Sequence, residues 1–261
     1  KDALHLFLGA GELGHAIILN QPFDLVAFTG SLKTAKEIHK SLSLKSGKII
    51  PLIAETGGLN AMIVDSSALL ERACDDIIRS AFNSAGQRCS ALRLLLVHQE
   101  VYKELLTMLK GAMDDLRVGV PNELCTDVGP IITNEALDKL NNYLAKLQAD
   151  GNSFFQSTRA AVTQDNSWLS PTLIELAPDL IPDEEQFGPI LHVVPFSEDS
   201  LVDLLKIIDA KGFALTFGIH TRIDSKALHI AKQTASGNIY INRDIVGAVV
   251  ETQPFGGKNL S

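Results

Sequence analysis

Short apolar runs alternate with stretches of helical periodicity along most of this 261-residue chain. Runs such as DLVAFTG (24–30), ALRLLLVHQ (91–99) and ILHVVPF (190–196) have the length and composition of buried strands. Apolar residues at helical spacing follow several of them, most clearly after Ser66 and Ser67, either of which can serve as an N-cap. This alternation is typical of α/β layers around a largely parallel sheet, and that is the fold class we predict.

The beginning of the chain shows the same alternation at close spacing. LHLFL (4–8) predicts a strand, and residues 11–20 predict a helix. A second helix is predicted over 31–44, beginning at Ser31. Residues 151–171 form a predominantly polar stretch, in which no strand is predicted.

The composition excludes several classes of protein. The formal net charge is −8 and there is no run of Lys or Arg, so nucleic acid and anionic membranes are poor partners. No apolar run approaches ~18 residues, so no transmembrane segment is predicted. The three cysteines make no disulfide framework, which indicates a reducing compartment. We therefore expect a cytoplasmic protein, and we expect no metal site.

The sequence HLFLGAGELGHAIILN contains a G-x-G-x-x-G motif formed by Gly9, Gly11 and Gly14. The dinucleotide fingerprint also needs an acidic residue about 20 positions later, at the end of the next strand. That residue is absent, because LVAFTGSLK carries no Asp or Glu and Asp24 precedes the strand. Two interpretations remain open: a tight strand-to-helix turn, or a loop at the edge of a cofactor site of non-standard geometry.

A second glycine turn, FTGS, places Thr29, Gly30 and Ser31 between a predicted strand and a predicted helix. Free backbone N–H groups at such a turn can hold a phosphate. An ordinary serine N-cap explains the same residues, and both interpretations remain open.

One cysteine lies in surroundings that packing does not explain. Cys89 belongs to the small, polar segment FNSAGQRCSALR, with Arg88 and Arg93 as basic neighbours in sequence. Basic or amide-rich surroundings favour the thiolate, which is the nucleophilic form. Cys74 lies on the apolar stripe of a predicted helix and Cys125 lies in a loop, so we assign neither a chemical role. For Cys89, a reactive thiol and a structural one remain open.

The segment LIAETGGLN supplies a carboxylate, because Glu55 ends a predicted strand just before two glycines. From a rigid strand end beside a flexible turn, this side chain can reach into a cleft. A solvated loop carboxylate is the alternative. No His lies in a comparable motif, so a Cys-His protease is not indicated.

Five motifs follow one another along the chain: FTGS, ETGG, GQRC, EEQFGP and PFGG. In this order and spacing they resemble the aldehyde dehydrogenase superfamily over essentially the whole chain. The resemblance implies that Cys89 attacks the aldehyde carbon to form a thiohemiacetal, and that hydride transfer to NAD(P)⁺ leaves a thioester. The sequence leaves NAD and NADP open, and NAD is the cofactor we expect. It also implies that Glu55 is the general base that activates the hydrolytic water.

The resemblance also implies a site for NAD. Glu185 and Phe187 match residues that hold the nicotinamide ribose and ring. Gly30 and Ser31 match the turn beside the nicotinamide and pyrophosphate, and Gly11 matches a loop near the adenosine end. The implied cofactor-binding residues are Gly11, Thr29, Gly30, Ser31, Glu185 and Phe187.

Within the superfamily, NRDIVGAVVETQPFGG resembles the anchor loop of the L-glutamate γ-semialdehyde (1-pyrroline-5-carboxylate) dehydrogenases. The resemblance implies that Ser90, Gly247 and Ala248 hold the substrate carboxylate through a hydroxyl group and two amides. It implies that Phe213 packs beside the aliphatic chain of the substrate. The implied reaction is the oxidation of this aldehyde to L-glutamate, the second step of proline catabolism.

The resemblance further implies a partial Rossmann-type cofactor domain over 1–56 and an α/β catalytic domain over 57–261, with the anchor loop near 244–250. The N-terminal part of the family fold, which carries an Asn that donates to the oxyanion, has no match in this sequence. We therefore expect a fragment that is inactive by itself. The resemblance is greatest to the dehydrogenase module of bifunctional bacterial proline-utilisation proteins. It implies an FAD-dependent proline dehydrogenase upstream in the parent protein, and a homo-oligomer.

Two other functions remain open. A coenzyme-A-acylating or other-substrate aldehyde dehydrogenase would share the nucleophile, although the presence of Glu55 favours water over a thiol as the acceptor. A non-catalytic scaffold fragment would share the fold alone.

Overall fold

A computed structural model describes residues 3–158, 167–248 and 251–261. The chain forms two compact units, residues 1–56 and 57–261. Over the described ranges, no helix combines the length and the apolar character that crossing a bilayer requires.

The first unit is built from short helices and strands in alternation. In chain order they are α1 (Gly11–Asn20), β1 (Val26–Thr29), α2 (Leu32–Ser43) and β2 (Leu52–Glu55). β1 and β2 pair in parallel. The helix predicted over 11–20, the helix predicted from Ser31 and the strand predicted within 24–30 are confirmed.

The strand predicted at LHLFL is wrong. This segment pairs with no strand within the described ranges, and Leu4, Leu6 and Leu8 are exposed. Apolar residues form a strand only where a neighbouring strand completes the hydrogen bonds and a facing layer buries the side chains. In the described residues of this unit neither condition is met at LHLFL, so its local preference for a strand is not realised.

The second unit contains the remaining elements. In chain order they are β3 (Ala61–Val64), α3 (Leu70–Phe82), β4 (Leu94–His98), α4 (Tyr102–Asp115), α5 (Asn134–Ala149), β5 (Ser153–Gln156), β6 (Thr172–Glu175), β7 (Ile190–Phe196), α6 (Leu201–Ala210), β8 (Phe213–Ala214), β9 (Thr216–His220), α7 (Asp224–Ala231), β10 (Asn238–Ile241) and β11 (Lys258–Asn259). A seven-stranded sheet with the order β10-β9-β3-β4-β7-β6-β5 forms its centre. Neighbouring strands of this sheet are parallel, except that β5 is antiparallel to β6. The predicted fold class is therefore confirmed.

The polar stretch 151–171 contains a strand that the sequence analysis missed, because β5 lies inside it and pairs with β6 at the edge of the sheet. Phe154 and Phe155 are half-buried and pack against the core. Four residues of weak pattern become a strand here because β6, from beyond the stretch, supplies the pairing partner. Residues 159–166 of the same stretch lie outside the described residues.

Neither Ser66 nor Ser67 is the N-cap of α3. The N-cap is Leu69, whose side chain makes no capping hydrogen bond. Ser67 Oγ donates instead to the Asp65 carboxylate at 2.6 Å. A charged acceptor makes a stronger hydrogen bond than a neutral one, which explains why this hydroxyl group is drawn away from the helix. The apolar stripe predicted for α3 packs into the core.

The central strands β3, β4, β7 and β9 begin near the same level. Ala61 lies beside Leu94 on one side and Phe217 on the other, and Leu94 lies beside His192. The loops that lead into these strands therefore meet at the amino edge of the sheet. Two of these loops carry GQRC and EEQFGP.

Candidate active site

The loop that carries GQRC begins with a left-handed turn at the end of α3. Ser84, Ala85 and Gly86 have φ values of 56°, 53° and 65°. A Cβ at Gly86 would collide with the backbone carbonyl oxygen of Gly188, so only glycine allows the two loops to approach so closely. The conformations of Ser84 and Ala85 each cost roughly 1–3 kcal/mol, and such strain persists only where surrounding contacts hold the backbone.

Asn60, the residue before β3, holds the backbone at Cys89 and two residues after it. Its Nδ2 donates to the carbonyl oxygens of Cys89 at 2.6 Å and Ala91 at 2.8 Å, and its Oδ1 accepts the N–H of Thr216 at 3.1 Å. Thr216 Oγ1 donates to the Ser90 carbonyl oxygen at 3.4 Å. The start of the sheet thus fixes the loop of the predicted nucleophile. Sequence reasoning missed Asn60, and no local signal distinguishes it, because its role depends on contacts that are distant in sequence.

Gln87 attaches the same loop to the segment before α5. Its Nε2 donates to the Pro130 carbonyl oxygen at 3.0 Å, and its Oε1 accepts the Ile132 N–H at 2.9 Å. An amide side chain that uses both its donor and its acceptor fixes the loop in one orientation. Sequence reasoning missed this role as well.

The three cysteines lie in different surroundings. Cys74 is buried, and burial, together with Asp75, raises the pKa of its thiol to about 11, so it stays protonated and inert at neutral pH. Cys125 is exposed, with its sulfur 3.8 Å from the Glu123 carboxylate. Cys89 is half-buried at the amino edge of the sheet. The packing role predicted for Cys74 is confirmed, and the reactive role of Cys89 stays a prediction.

Arg93 and Glu185 form a buried ion pair beside the GQRC loop. Arg93 Nη2 lies 2.9 Å from Glu185 Oε1, and the two side chains are 0% and 13% exposed. Burial raises the pKa of the Glu185 carboxyl group, and Arg93 and the Gly58 N–H oppose that shift. Burial lowers the pKa of the Arg93 guanidinium, and Glu185 and Cys89 oppose that shift. Arginine keeps its proton in proteins, so the pair is ionic.

The two glycines of ETGG lie against Glu185. The Gly58 N–H donates to the Glu185 carboxylate, and a Cβ at Gly57 would collide with Glu185 Oε2. Phe187, in the same EEQFGP segment, is 43% exposed, and its ring lies 5.3 Å from the Arg93 guanidinium carbon. This segment therefore presents a held carboxylate and an exposed aromatic ring close together.

In the first unit, the strand ends bring Thr29, Gly30 and Ser31 next to the backbone of Glu55. Thr29 pairs with Glu55, and the Gly30 N–H donates to the Glu55 carbonyl oxygen at 3.1 Å. Ser31 Oγ accepts the N–H of Thr34 at 3.2 Å, which makes Ser31 the N-cap of α2. The N-cap interpretation of FTGS is confirmed, and the Glu55 side chain is half-buried at the end of β2.

A cavity of about 580 Å³ lies in the first unit between α1, β1 and α2. Ile18 and Phe28 contribute to its mostly apolar wall, and Thr34 contributes a polar group. Gly11 and Gly14 also line it, and a Cβ at either position would meet no atom within 4 Å. The opening glycine motif thus borders a concave surface of a size typical for small ligands.

The residues predicted to bind the substrate occupy three places in the second unit. Ser90 is buried in the GQRC loop, and Phe213 is half-buried in β8. Gly247 is exposed with a φ of 86°, a conformation that favours glycine, and Ala248 is half-buried. Residues 249 and 250 of the predicted anchor loop lie outside the described residues.

Ser80 of α3 links the loop that carries Ser90 to the loop that carries Gly247. Its Oγ accepts the Ile245 N–H at 3.1 Å, and its carbonyl oxygen accepts the Leu92 N–H at 2.9 Å. Both loops are therefore attached to one fully buried residue. The attachment points, Leu92 and Ile245, lie two positions from Ser90 and from Gly247 in sequence. Sequence reasoning missed Ser80, since it lies among apolar helix positions.

Comparisons with known proteins show the family to which the chain belongs. The family model described as the aldehyde dehydrogenase family matches residues 1–261. Bifunctional protein PutA of Escherichia coli (strain K12) is 45% identical over 267 residues, which cover 99% of this chain and 20% of that protein. A crystal structure of a mutant of Bradyrhizobium japonicum proline utilization A has a TM-score of 0.95 at 42% identity, over 100% of this chain and 26% of that one.

A third similar protein is shorter than these. The 1-pyrroline-5-carboxylate dehydrogenase from Thermus, solved with bound NAD, has a TM-score of 0.88 at 28% identity, over 97% of this chain and 49% of that one. The chain thus spans about half the length of this relative, and a smaller share of the two PutA proteins.

Proposed function

Since the chain belongs to the aldehyde dehydrogenase family, we propose that the protein oxidises L-glutamate γ-semialdehyde to L-glutamate, with NAD⁺ as hydride acceptor. One observation carries the proposal: the GQRC loop, with Cys89 half-buried at its end, is fixed against the EEQFGP segment at the amino edge of the sheet. The similarity to PutA and to a 1-pyrroline-5-carboxylate dehydrogenase supports this choice of substrate.

The residues of each unit fit parts of a dinucleotide. In the first unit, the cavity bordered by Gly11 suits an adenosine group, and the turn from Thr29 to Ser31 offers backbone N–H groups at the start of α2. In the second unit, the Glu185 carboxylate suits ribose hydroxyl groups, and the exposed ring of Phe187 suits a flat nicotinamide. When bound, NAD⁺ supplies the acceptor for the hydride that leaves the substrate carbon.

Cys89 performs the covalent chemistry in this proposal. Its thiolate adds to the aldehyde carbon, a C–S bond forms, and the carbonyl oxygen becomes an alkoxide that accepts the Cys89 N–H. Loss of hydride from the same carbon turns this thiohemiacetal into a thioester. Water then adds to the thioester carbon while its proton passes to Glu55, and the C–S bond breaks to release the acid and the Cys89 thiolate.

A coenzyme-A-acylating enzyme is the alternative within the same chemistry. It would pass the acyl group from Cys89 to a thiol in place of water. Glu55, at a strand end, favours hydrolysis. Analysis of the product separates the two, because hydrolysis yields free glutamate and acyl transfer yields a thioester.

A Ser90→Ala variant is expected to weaken recognition of the substrate carboxylate. Hydrogen bonds to a charged group contribute about 1.5–3 kcal/mol, so KM for glutamate semialdehyde should rise by about 10- to 100-fold. Pentanal has a similar chain and no carboxylate, so its kcat/KM should change by less than about threefold. Steady-state kinetics of both aldehydes, measured in the full-length protein, provide the test.

The comparison of the two aldehydes distinguishes substrate recognition from a general defect. An equal loss with glutamate semialdehyde and pentanal would mean that Ser90 only supports the loop, and the proposed carboxylate site would be refuted. Oxidation of pentanal in preference to glutamate semialdehyde by the parent protein would refute the substrate itself.

The same proposal extends to the polypeptide that carries this chain. We propose that the chain by itself turns nothing over, and NADH formation by the isolated 261 residues would contradict this. Similarity to a bifunctional protein supports an accompanying FAD-dependent proline dehydrogenase in the full-length polypeptide, and a homo-oligomeric assembly is proposed with it.

A further inference from the structure

Arg93 connects the GQRC loop to the EEQFGP segment through every nitrogen of its guanidinium. Nε and Nη2 donate to Glu185 Oε1 at 3.3 and 2.9 Å, and Nη1 donates to the Gly188 carbonyl oxygen at 3.1 Å. Nη2 also donates to the carbonyl oxygen of Arg88, the residue before Cys89, at 3.0 Å. One rigid, planar group therefore fixes both the backbone beside the nucleophile and the carboxylate proposed to hold the ribose.

The contact between the GQRC loop and the EEQFGP segment excludes solvent from Arg93. Arg93 is fully buried, and Gly86 of one loop lies so close to Gly188 of the other that a Cβ at Gly86 would collide with the Gly188 carbonyl group. A charge with no access to water interacts more strongly with its neighbours than an exposed charge does. The Arg93 charge therefore acts on nearby groups with little screening.

The Glu185 carboxylate is in direct contact with this charge. Cys89 follows Arg88, whose carbonyl oxygen accepts a hydrogen bond from Arg93 Nη2 at 3.0 Å, so the nucleophile lies one residue from a group that Arg93 contacts. Arg88 is exposed, and its side chain donates to Ser84 Oγ at 2.9 Å, outside the ion pair. A cation favours a nearby thiolate, whereas a carboxylate that neutralises the cation reduces this effect.

We propose that Arg93 is a positioning residue with two linked tasks: it holds Glu185 for the cofactor ribose, and it promotes the thiolate of Cys89 to an extent that Glu185 limits. This inference rests on the proposed function for the identity of the cofactor. The linkage means that a change at Glu185 alters the nucleophile without touching it. It also means that the two partners of the ion pair have opposite effects on Cys89.

The test is the pH dependence of Cys89 alkylation by iodoacetamide, followed by mass spectrometry of the Cys89 peptide in the full-length protein. Removal of the cation in Arg93→Met should move the midpoint of the profile up by about one pH unit, and removal of the counter-charge in Glu185→Gln should move it down. Arg93→Lys keeps the charge and should leave the midpoint within about 0.3 units. Arg88→Met, the matched control, should leave it equally unmoved because its charge is exposed.

Cofactor binding provides the second measurement. Titration of NADH fluorescence should show Kd raised by about tenfold in Arg93→Met and also in Arg93→Lys, because an ammonium group cannot form the planar fork that holds Glu185. Arg88→Met should bind NADH like the parent. Rescue of the alkylation profile by Arg93→Lys without rescue of NADH binding is the expected signature of the two tasks.

Several results of these experiments would overturn the proposal. A shift of the same sign in Arg93→Met and Glu185→Gln would show a general disturbance of the loop and would overturn the proposal. So would an Arg88→Met shift as large as that of Arg93→Met. If Arg93→Met fails to fold, Glu185→Gln by itself tests the linkage, and a midpoint that is unchanged or moves up in that variant would overturn the proposal.

Alkylation separates this inference from the proposed function, because it needs neither aldehyde nor cofactor. A protein that does not oxidise glutamate semialdehyde yet shows the opposite shifts would refute the function and keep the role of Arg93 toward Cys89. An enzyme that oxidises glutamate semialdehyde, but whose alkylation midpoint is the same in all the variants, would keep the function and refute the role of Arg93 toward Cys89.

Discussion

A Cys89→Ala variant is expected to lose aldehyde oxidation almost completely. Removal of a covalent nucleophile or its activating partners lowers kcat by about 10⁴–10⁶-fold in enzymes that form acyl intermediates. The loss should appear in kcat, because without the thiolate no thiohemiacetal forms and no hydride can leave. NADH production by the full-length protein with saturating glutamate semialdehyde measures it directly.

Cys125→Ser is the matched control for this variant. Cys125 is exposed, in a loop outside the proposed site, so its replacement should leave kcat within about twofold of the parent. Retained oxidation in Cys89→Ala would remove the nucleophile from the proposal. Loss of activity in Cys125→Ser as well would point to a general effect on the protein and make the comparison uninformative about Cys89 alone, so circular dichroism should accompany both.

The second large effect is expected for Glu55→Gln, in which the carboxylate becomes a neutral amide of the same shape. General-base catalysis contributes about 10²–10⁴-fold, and the steady rate should fall by that factor. The first hydride transfer precedes hydrolysis and should survive. Rapid mixing with excess NAD⁺ and substrate should therefore show a burst of about one NADH per site, followed by slow turnover.

Glu100→Gln controls for the loss of a carboxylate as such. Glu100 is exposed and lies outside the proposed site, so its replacement should leave both phases unchanged. A Glu55→Gln variant that shows no burst would assign Glu55 to the first chemical step or to cofactor binding, and the base role would have to be abandoned. An unchanged steady rate would assign hydrolysis to another group.

Much of the fold is predictable because local pattern reports on burial. The alternation of apolar runs and helical stripes predicted the α/β class, and the helices that begin near Ser31 and after Ser67 are present. The failures share one cause. LHLFL has strand-forming residues but no described partner, whereas β5 has a weak pattern and a strand beside it. Strand formation depends on a second segment that no local window contains.

In the candidate site, too, some residues can be predicted from the sequence and others are recognised only in the structure. Local sequence left the roles of Cys89 and Glu55 open, and the resemblance of the motifs GQRC and ETGG to a family made them the predicted nucleophile and base. Asn60, Ser80 and Gln87 carry no such signal, since an amide or hydroxyl group at these positions is ordinary until its partner is known. Each of them bonds to backbone that arrives from another element.

By itself, the sequence determined the class of fold and the segments available for chemistry, and through the resemblance of five motifs it made Cys89 the predicted nucleophile. Arg93 is a basic neighbour of Cys89 in the sequence. Only the tertiary structure decided that it forms an ion pair with Glu185, a carboxylate 92 positions away. The physical reason is that the chemistry of a side chain depends on its residue type, whereas the residues that surround it in space depend on the order of the strands in the sheet. Parallel strands bring their leading loops together at one edge of the sheet, and periodicity along the chain carries no record of which strands will be adjacent.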